Sequence, residues 1–140
     1  MTVFYSQEMT GFGSLPVVKP SAPQYAGDVF VYQATISLAS QATTDTIVLA
    51  YIPSGNSFLY GLLSTDTSLG SSTIAIGITG TTGKYRAAAV FTATNTPTLT
   101  GLVANSANAP LAAPETQFIT IAVATLPASG ILVYQQFWAM

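Results

Sequence analysis

Cysteine and histidine are both absent from the 140 residues, and charge is scarce: three basic and five acidic side chains make up 6% of the chain. About 25% is usual for a globular protein. Each gap excludes chemistry. Without cysteine there are no disulfides, no thiolate nucleophile and no thiolate-bound metal. Without histidine the commonest general base and the commonest transition-metal ligand are missing, so serine and cysteine triads built on histidine are excluded. Three basic residues, Lys19, Lys84 and Arg86, cannot neutralise the run of phosphates on which nucleic-acid affinity depends. No apolar run approaches the roughly 18 to 20 residues that span a bilayer, and the first residues lack the basic segment and apolar block of an export signal. The expectation is a soluble, unexported protein that contacts neither membrane nor nucleic acid.

In place of lysine and glutamate the chain carries 20 Thr and 13 Ser. Exposed helices rely on Glu, Lys and Arg, whereas short or β-branched hydroxyl side chains suit pleated sheets. Composition therefore points to β structure. Hydrophobic residues make up 49%, and the length is that of one domain able to bury a two-layer core. A net charge of −2 with a mean hydropathy of +0.50 leaves little repulsion between copies, which favours an oligomer.

Residues 1–28 are punctuated by Gly11, Gly13, Pro16, Pro20, Pro23 and Gly27 and read as an extended arm. The arm nonetheless holds Phe4, Tyr5, Phe12, Leu15, Val17, Val18 and Tyr25, too many apolar groups for a freely solvated tail. It packs either on its own domain or on a neighbouring subunit or host surface, and the pattern does not choose between them. Residues 29–140 form the second unit, a series of short strands. Residues 29–38 alternate, with Phe30, Tyr32, Ala34, Ile36 and Leu38 on one face. Residues 47–52 and 58–63 are apolar on both faces, and Pro53-Ser54-Gly55-Asn56 between them predicts a hairpin. In residues 73–79 three isoleucines alternate with Ala75 and Gly77, leaving a bare face that something can approach closely. A turn at 80–83 leads into a strand over 84–94. A short strand is marked at 98–103, and others at 116–125 and 130–138. The sum is an all-β, antiparallel β-sandwich of about eight strands, jelly-roll-like, with an N-terminal arm.

The acid and base candidates, Glu8, Asp28, Asp45, Asp66 and Glu115, fall one to a segment and mostly beside turns. No spacing pairs two of them as a glycosidase needs, and no Asp-rich calcium loop is present. Residues 77–85, Gly-Ile-Thr-Gly-Thr-Thr-Gly-Lys-Tyr, fall short of a phosphate-binding loop. Ile78 stands where the first glycine belongs, Tyr85 where Ser or Thr belongs, and a strand follows in place of a helix. The expectation is no enzyme, no cofactor and no metal. The aromatic residues alternate onto strand faces as core or interface groups. Phe137 and Trp138 lie near the end of the chain, where only docking would order them.

Residues 45–97 carry TDTIVLAYIPSGNSFLYGLL (from Thr44), LGSSTIAIGITGTTGKYRAAAVF and TNTPT, and the chain closes with LPASGILVYQQFWA. In style and order these segments, about two thirds of the chain, resemble the small decoration or cement proteins of tailed-bacteriophage heads. The resemblance implies a β-sandwich, commonly a trimer, made in the host cytoplasm. It would bind the major capsid protein on the outer surface of the virion and stabilise the shell. A virion fibre or receptor-binding module reading host glycans through its aromatics or through Asp45 and Asp66 is the alternative. On either reading the candidate interface is Phe4, Tyr5, Phe12, Val17, Val18, Tyr25, Ala75, Gly77, Phe137 and Trp138.

Overall fold

The computed structural model describes residues 28–101 and 110–140. The proposed arm, with Phe4, Tyr5, Phe12, Val17, Val18 and Tyr25, lies outside the described residues. Eight strands run in order: β1 (Val29–Ser37), β2 (Thr46–Ile52), β3 (Ser57–Thr65), β4 (Thr73–Ile78), β5 (Thr81–Val90), β6 (Thr98–Thr100), β7 (Glu115–Ala122) and β8 (Ile131–Ala139). There is no helix among the described residues.

The strands form two four-stranded sheets, β1-β8-β3-β6 and β2-β7-β4-β5. Every pairing is antiparallel. This interleaved order is that of a jelly roll, in which consecutive strands alternate between sheets except at β4 and β5, which are neighbours in one sheet. It corrects one expectation. The turn at Pro53–Asn56 does not close a hairpin, because β2 pairs with β7 while β3 pairs with β8 and β6. The turn chemistry is real, but both flanking strands are apolar enough to face the core, and the chain arches from one sheet to the other. The β4–β5 connection is a true hairpin. Its closing pair is Ile78 with Thr81, so the turn is Thr79-Gly80, with Gly80 at φ +84°, slightly earlier than the 80–83 read from sequence.

Alternation decides what each sheet buries. Ile36, Leu63, Leu132, Tyr134 and Trp138 of the first sheet meet Ile52, Ile74, Ile76, Tyr85, Ile119 and Ile121 of the second in one core. Two bulges keep that alternation in phase. In β3 the register steps past Leu59, so Phe58 opposite Trp138 turns inward while Tyr60 opposite Phe137 turns outward. In β2 the step past Leu49 puts Val48 outside and Ala50 against the core.

Candidate functional site

The functional question turns to surfaces, because most of the charged side chains among the described residues are engaged within the fold. Glu115 accepts hydrogen bonds from Lys84 through one oxygen and from the Tyr85 hydroxyl through the other, the latter at 2.5 Å. Burial, then the hydrogen bond and negative charge of Glu115, push the Tyr85 hydroxyl far above the usual phenol range. That tyrosine stays protonated and acts as a strut. Burial also pushes Tyr134 up to about 12. Arg86 lies over the Phe91 ring at 5.7 Å and donates to the carbonyls of Ile74, Ala89 and Val90. Asp45 accepts from the Ala42 amide. Asp66 is held below the usual carboxylate range by the Ile131 amide and then by the Thr67 hydroxyl. Among the described residues no three acidic side chains converge on a common point.

The outer face of the β1-β8-β3-β6 sheet is different. It is built by the odd-numbered residues of β1 and β8 and by Tyr60, Leu62 and Ser64 of β3. Register lays these out in rows. Val31, Phe137 and Tyr60 form one, Gln33, Gln135, Leu62 and Leu99 the next, and Thr35, Val133 and Ser64 a third. No residue in these rows is charged. Val31 is 48% exposed, Tyr60 41% and Leu99 70%. The rings of Tyr60 and Phe137 stack with centroids 4.6 Å apart and planes 19° from parallel, making a flat aromatic plate across two strands. Gln135 donates to the side-chain carbonyl of Gln33 at 2.8 Å, so the polar pair in the middle satisfies itself in part. At one end the face runs into an open groove of about 350 Å³ lined by Ser64, Thr65, Asp66, Asn95, Pro97, Ile131 and Val133.

Such a face can bind by burial. Apolar area removed from water yields about 25 cal/mol per Å², and a face without charge has no ions to desolvate when covered.

Of the four described residues singled out in the sequence, only Phe137 lies on this face. Trp138, its neighbour, points inward. It is wholly buried, its ring meets Phe58 at 5.3 Å and Tyr85 at 6.0 Å, and its indole N–H donates to Gln136 at 2.9 Å. Docking does order the end of the chain, but onto its own core. Ala75 and Gly77 are buried as well. The close approach that a bare glycine face signals comes from β5 itself. A Cβ on Gly77 would lie 2.3 Å from the Thr81 carbonyl oxygen and 2.4 Å from that of Thr82. Tyr60, Leu62, Leu99 and Val31 were not singled out by sequence. The alternation of 29–38 already put Val31 on the outward side, but the phase of 58–63 depends on the bulge at Leu59.

The fold has relatives among solved structures. It superposes on a chain of the cyanophage Pam1 capsid asymmetric unit with a TM-score of 0.68 and 15% identity, covering 83% of this chain and 87% of that one. A chain from the capsid of Ralstonia phage GP4 gives 0.65 and 18%, covering 84% and 88%. One from the acidic stable capsid structure of Helicobacter pylori bacteriophage KHP30 gives 0.61 and 10%, covering 82% and 90%. At these identities the likeness is one of fold. No protein-family model and no curated protein matches the sequence.

Proposed function

We propose that this chain is a structural protein of a phage virion, which binds the outer surface of the capsid and stabilises it. The observation that carries the reading is the uncharged outer face of the β1-β8-β3-β6 sheet, with its Tyr60–Phe137 plate, on a fold shared over most of its length with chains of three phage capsid structures. A subunit repeated across a lattice gains by avidity, so each contact can be shallow and neutral while the assembled coat is firm. The partner is the major capsid protein, and the protein functions as a homo-oligomer on the virion surface. The arm of residues 1–28 supplies a second tether, separate from the β domain of 29–140.

The test is to add purified protein to capsids that lack it. Saturable binding and a higher temperature of shell disruption are expected. Tyr60→Asp and Leu99→Asp place a carboxylate on the exposed face and should each weaken capsid binding tenfold or more, about 1.4 kcal/mol; Leu99→Asp should do so with little change in the protein's own melting temperature, while Tyr60→Asp also gives up the stack on Phe137. Unaltered capsid binding in both variants would remove this face from the proposal. The alternative, a fibre or receptor-binding module, draws on the groove beside Asp66 and Asn95. A glycan array with wild type and Asp66→Ala separates the two, since loss of a glycan signal in the variant supports the alternative alone.

A further inference from the structure

Among the described residues four strand edges bound the two sheets: β1 and β6 in one, β2 and β5 in the other. An open edge presents unpaired backbone groups, and soluble proteins blunt such edges by shortness, bulges or charge. Three of the four are blunted. β6 is three residues long, β2 is bulged between Val48 and Ala50, and β5 is bulged twice and has the Arg86 guanidinium on the carbonyls of Ala89 and Val90. β1 has none of these devices. It runs for nine residues, VFVYQATIS, with neither charge nor proline. Its register against β8 is unbroken from Val29 opposite Ala139 to Ser37 opposite Ile131.

The ladder shows which groups that edge offers. Asp28 and Met140 exchange both backbone hydrogen bonds, at 3.1 and 3.0 Å, and Leu38 donates to Gly130 at 2.9 Å. Antiparallel hydrogen-bonded pairs alternate, so the even-numbered residues of β1 bond β8 and the odd-numbered ones point their N–H and C=O groups outward. The Ser37 carbonyl is already taken by the Gln41 side-chain amide at 3.0 Å. Val29, Val31, Gln33 and Thr35 remain, and they are symmetric about Tyr32.

We infer that the β1 edge pairs with the β1 edge of a second copy, antiparallel, about a two-fold axis at Tyr32. Val29 then meets Thr35 of the other copy and Val31 meets Gln33. All four residues on each strand form hydrogen-bonded pairs, the outward side chains stay outward, and the two Tyr32 residues face each other as a non-hydrogen-bonded pair. An isologous contact sets a surface against itself, so any charge near the axis would oppose its own copy. β1 has no charge, and the nearest, Asp28, falls opposite Ile36. The two Asp28 residues end eight positions apart in register, roughly 27 Å at the usual rise per residue. The pairing makes one eight-stranded sheet, in which each Val31–Phe137–Tyr60 row runs on into the Gln33–Gln135–Leu62–Leu99 row of the other copy. It gives an even number of copies, where the resemblance to decoration proteins implies three.

The full-length protein is measured by sedimentation across a concentration series. A dimer is expected, weakened about tenfold or more by Val31→Pro, which removes an outward N–H and leaves the β8 ladder whole. Val31→Lys, a charge at the edge, should act in the same direction. Oxidised Tyr32→Cys should give a covalent dimer, because Cα atoms in a non-hydrogen-bonded pair lie about 4.5 Å apart, within disulfide range. Asp28→Cys should not. A monomer, a trimer, a dimer indifferent to both Val31 substitutions, or equal cross-linking through both cysteine variants overturns the pairing. Capsid binding is scored separately. A monomer that still binds capsids sinks the pairing and spares the proposed function, and a dimer that ignores capsids does the reverse.

Discussion

Trp138→Ala tests whether the end of the chain belongs to the core or to a partner. Trp138 is the largest of the wholly buried side chains described. Truncating a buried tryptophan to alanine costs about 3 to 5 kcal/mol through lost transfer free energy and the cavity left behind. Here two further losses apply. The edge-on contacts with Phe58 and Tyr85 disappear, and the Gln136 side-chain carbonyl, on a residue only 1% exposed, loses its donor. An acceptor left bare in the interior costs about 1 to 3 kcal/mol. A protein of this size has about 5 to 15 kcal/mol to lose, so Trp138→Ala should leave it close to unfolded at room temperature. The milder Trp138→Phe keeps an aromatic ring and removes the indole N–H. It loses the hydrogen bond, about 1 to 3 kcal/mol, together with a smaller packing loss from the reduced ring, and should lower the melting temperature by roughly 4 to 12 °C or more. The assay is thermal unfolding by circular dichroism on the protein alone, with no capsid present. Melting temperatures within about 1 °C of wild type for both variants would refute the burial argument.

Gly77→Ala should destabilise by about 2 kcal/mol or more, because the atoms its Cβ would strike are backbone atoms of Thr81 and Thr82, which cannot swing aside; a denaturant melt with the wild-type midpoint would contradict this. Tyr134 ionises at about 12 in the fold against 10.0 when unfolded. The unfolded chain therefore loses its proton first, and stability falls as pH rises from 10 towards 12. Tyr134→Phe should flatten that alkaline decline, and an unchanged slope in urea melts across the range would count against it. Deleting residues 1–24 should leave the thermal midpoint of the β domain nearly unchanged and weaken attachment to capsids; a lost folding transition would show that the arm completes the core.

Much of the fold was legible in local pattern. The alternation in residues 29–38 matched β1 and its inward face from Phe30 to Leu38, because an edge strand half in water must alternate. The three isoleucines of β4 alternate for a different reason, since β4 is an inner strand whose other face, Ala75 and Gly77, is covered as well, and the weak signal at 98–103 corresponds to β6, Thr98–Thr100. The site was less legible. Phe137 was singled out as apolar near the chain end, but its stacking partner Tyr60 sits 77 positions earlier, and no local pattern links the two.

By itself the sequence determined the class: scarce charge, abundant threonine and missing histidine and cysteine leave an uncharged β surface and little catalytic machinery. Tertiary structure decided which strands are neighbours. The Pro53–Asn56 turn reverses the chain equally well within a sheet or between sheets, and only the pairing of β2 with β7 and of β3 with β8 settles it. It also decided that Gly77 is covered by β5 and that Trp138 faces Phe58 while Phe137 faces out. A strand's period of two says that neighbouring side chains point opposite ways. Which way is inward depends on bulges and on partners far along the chain.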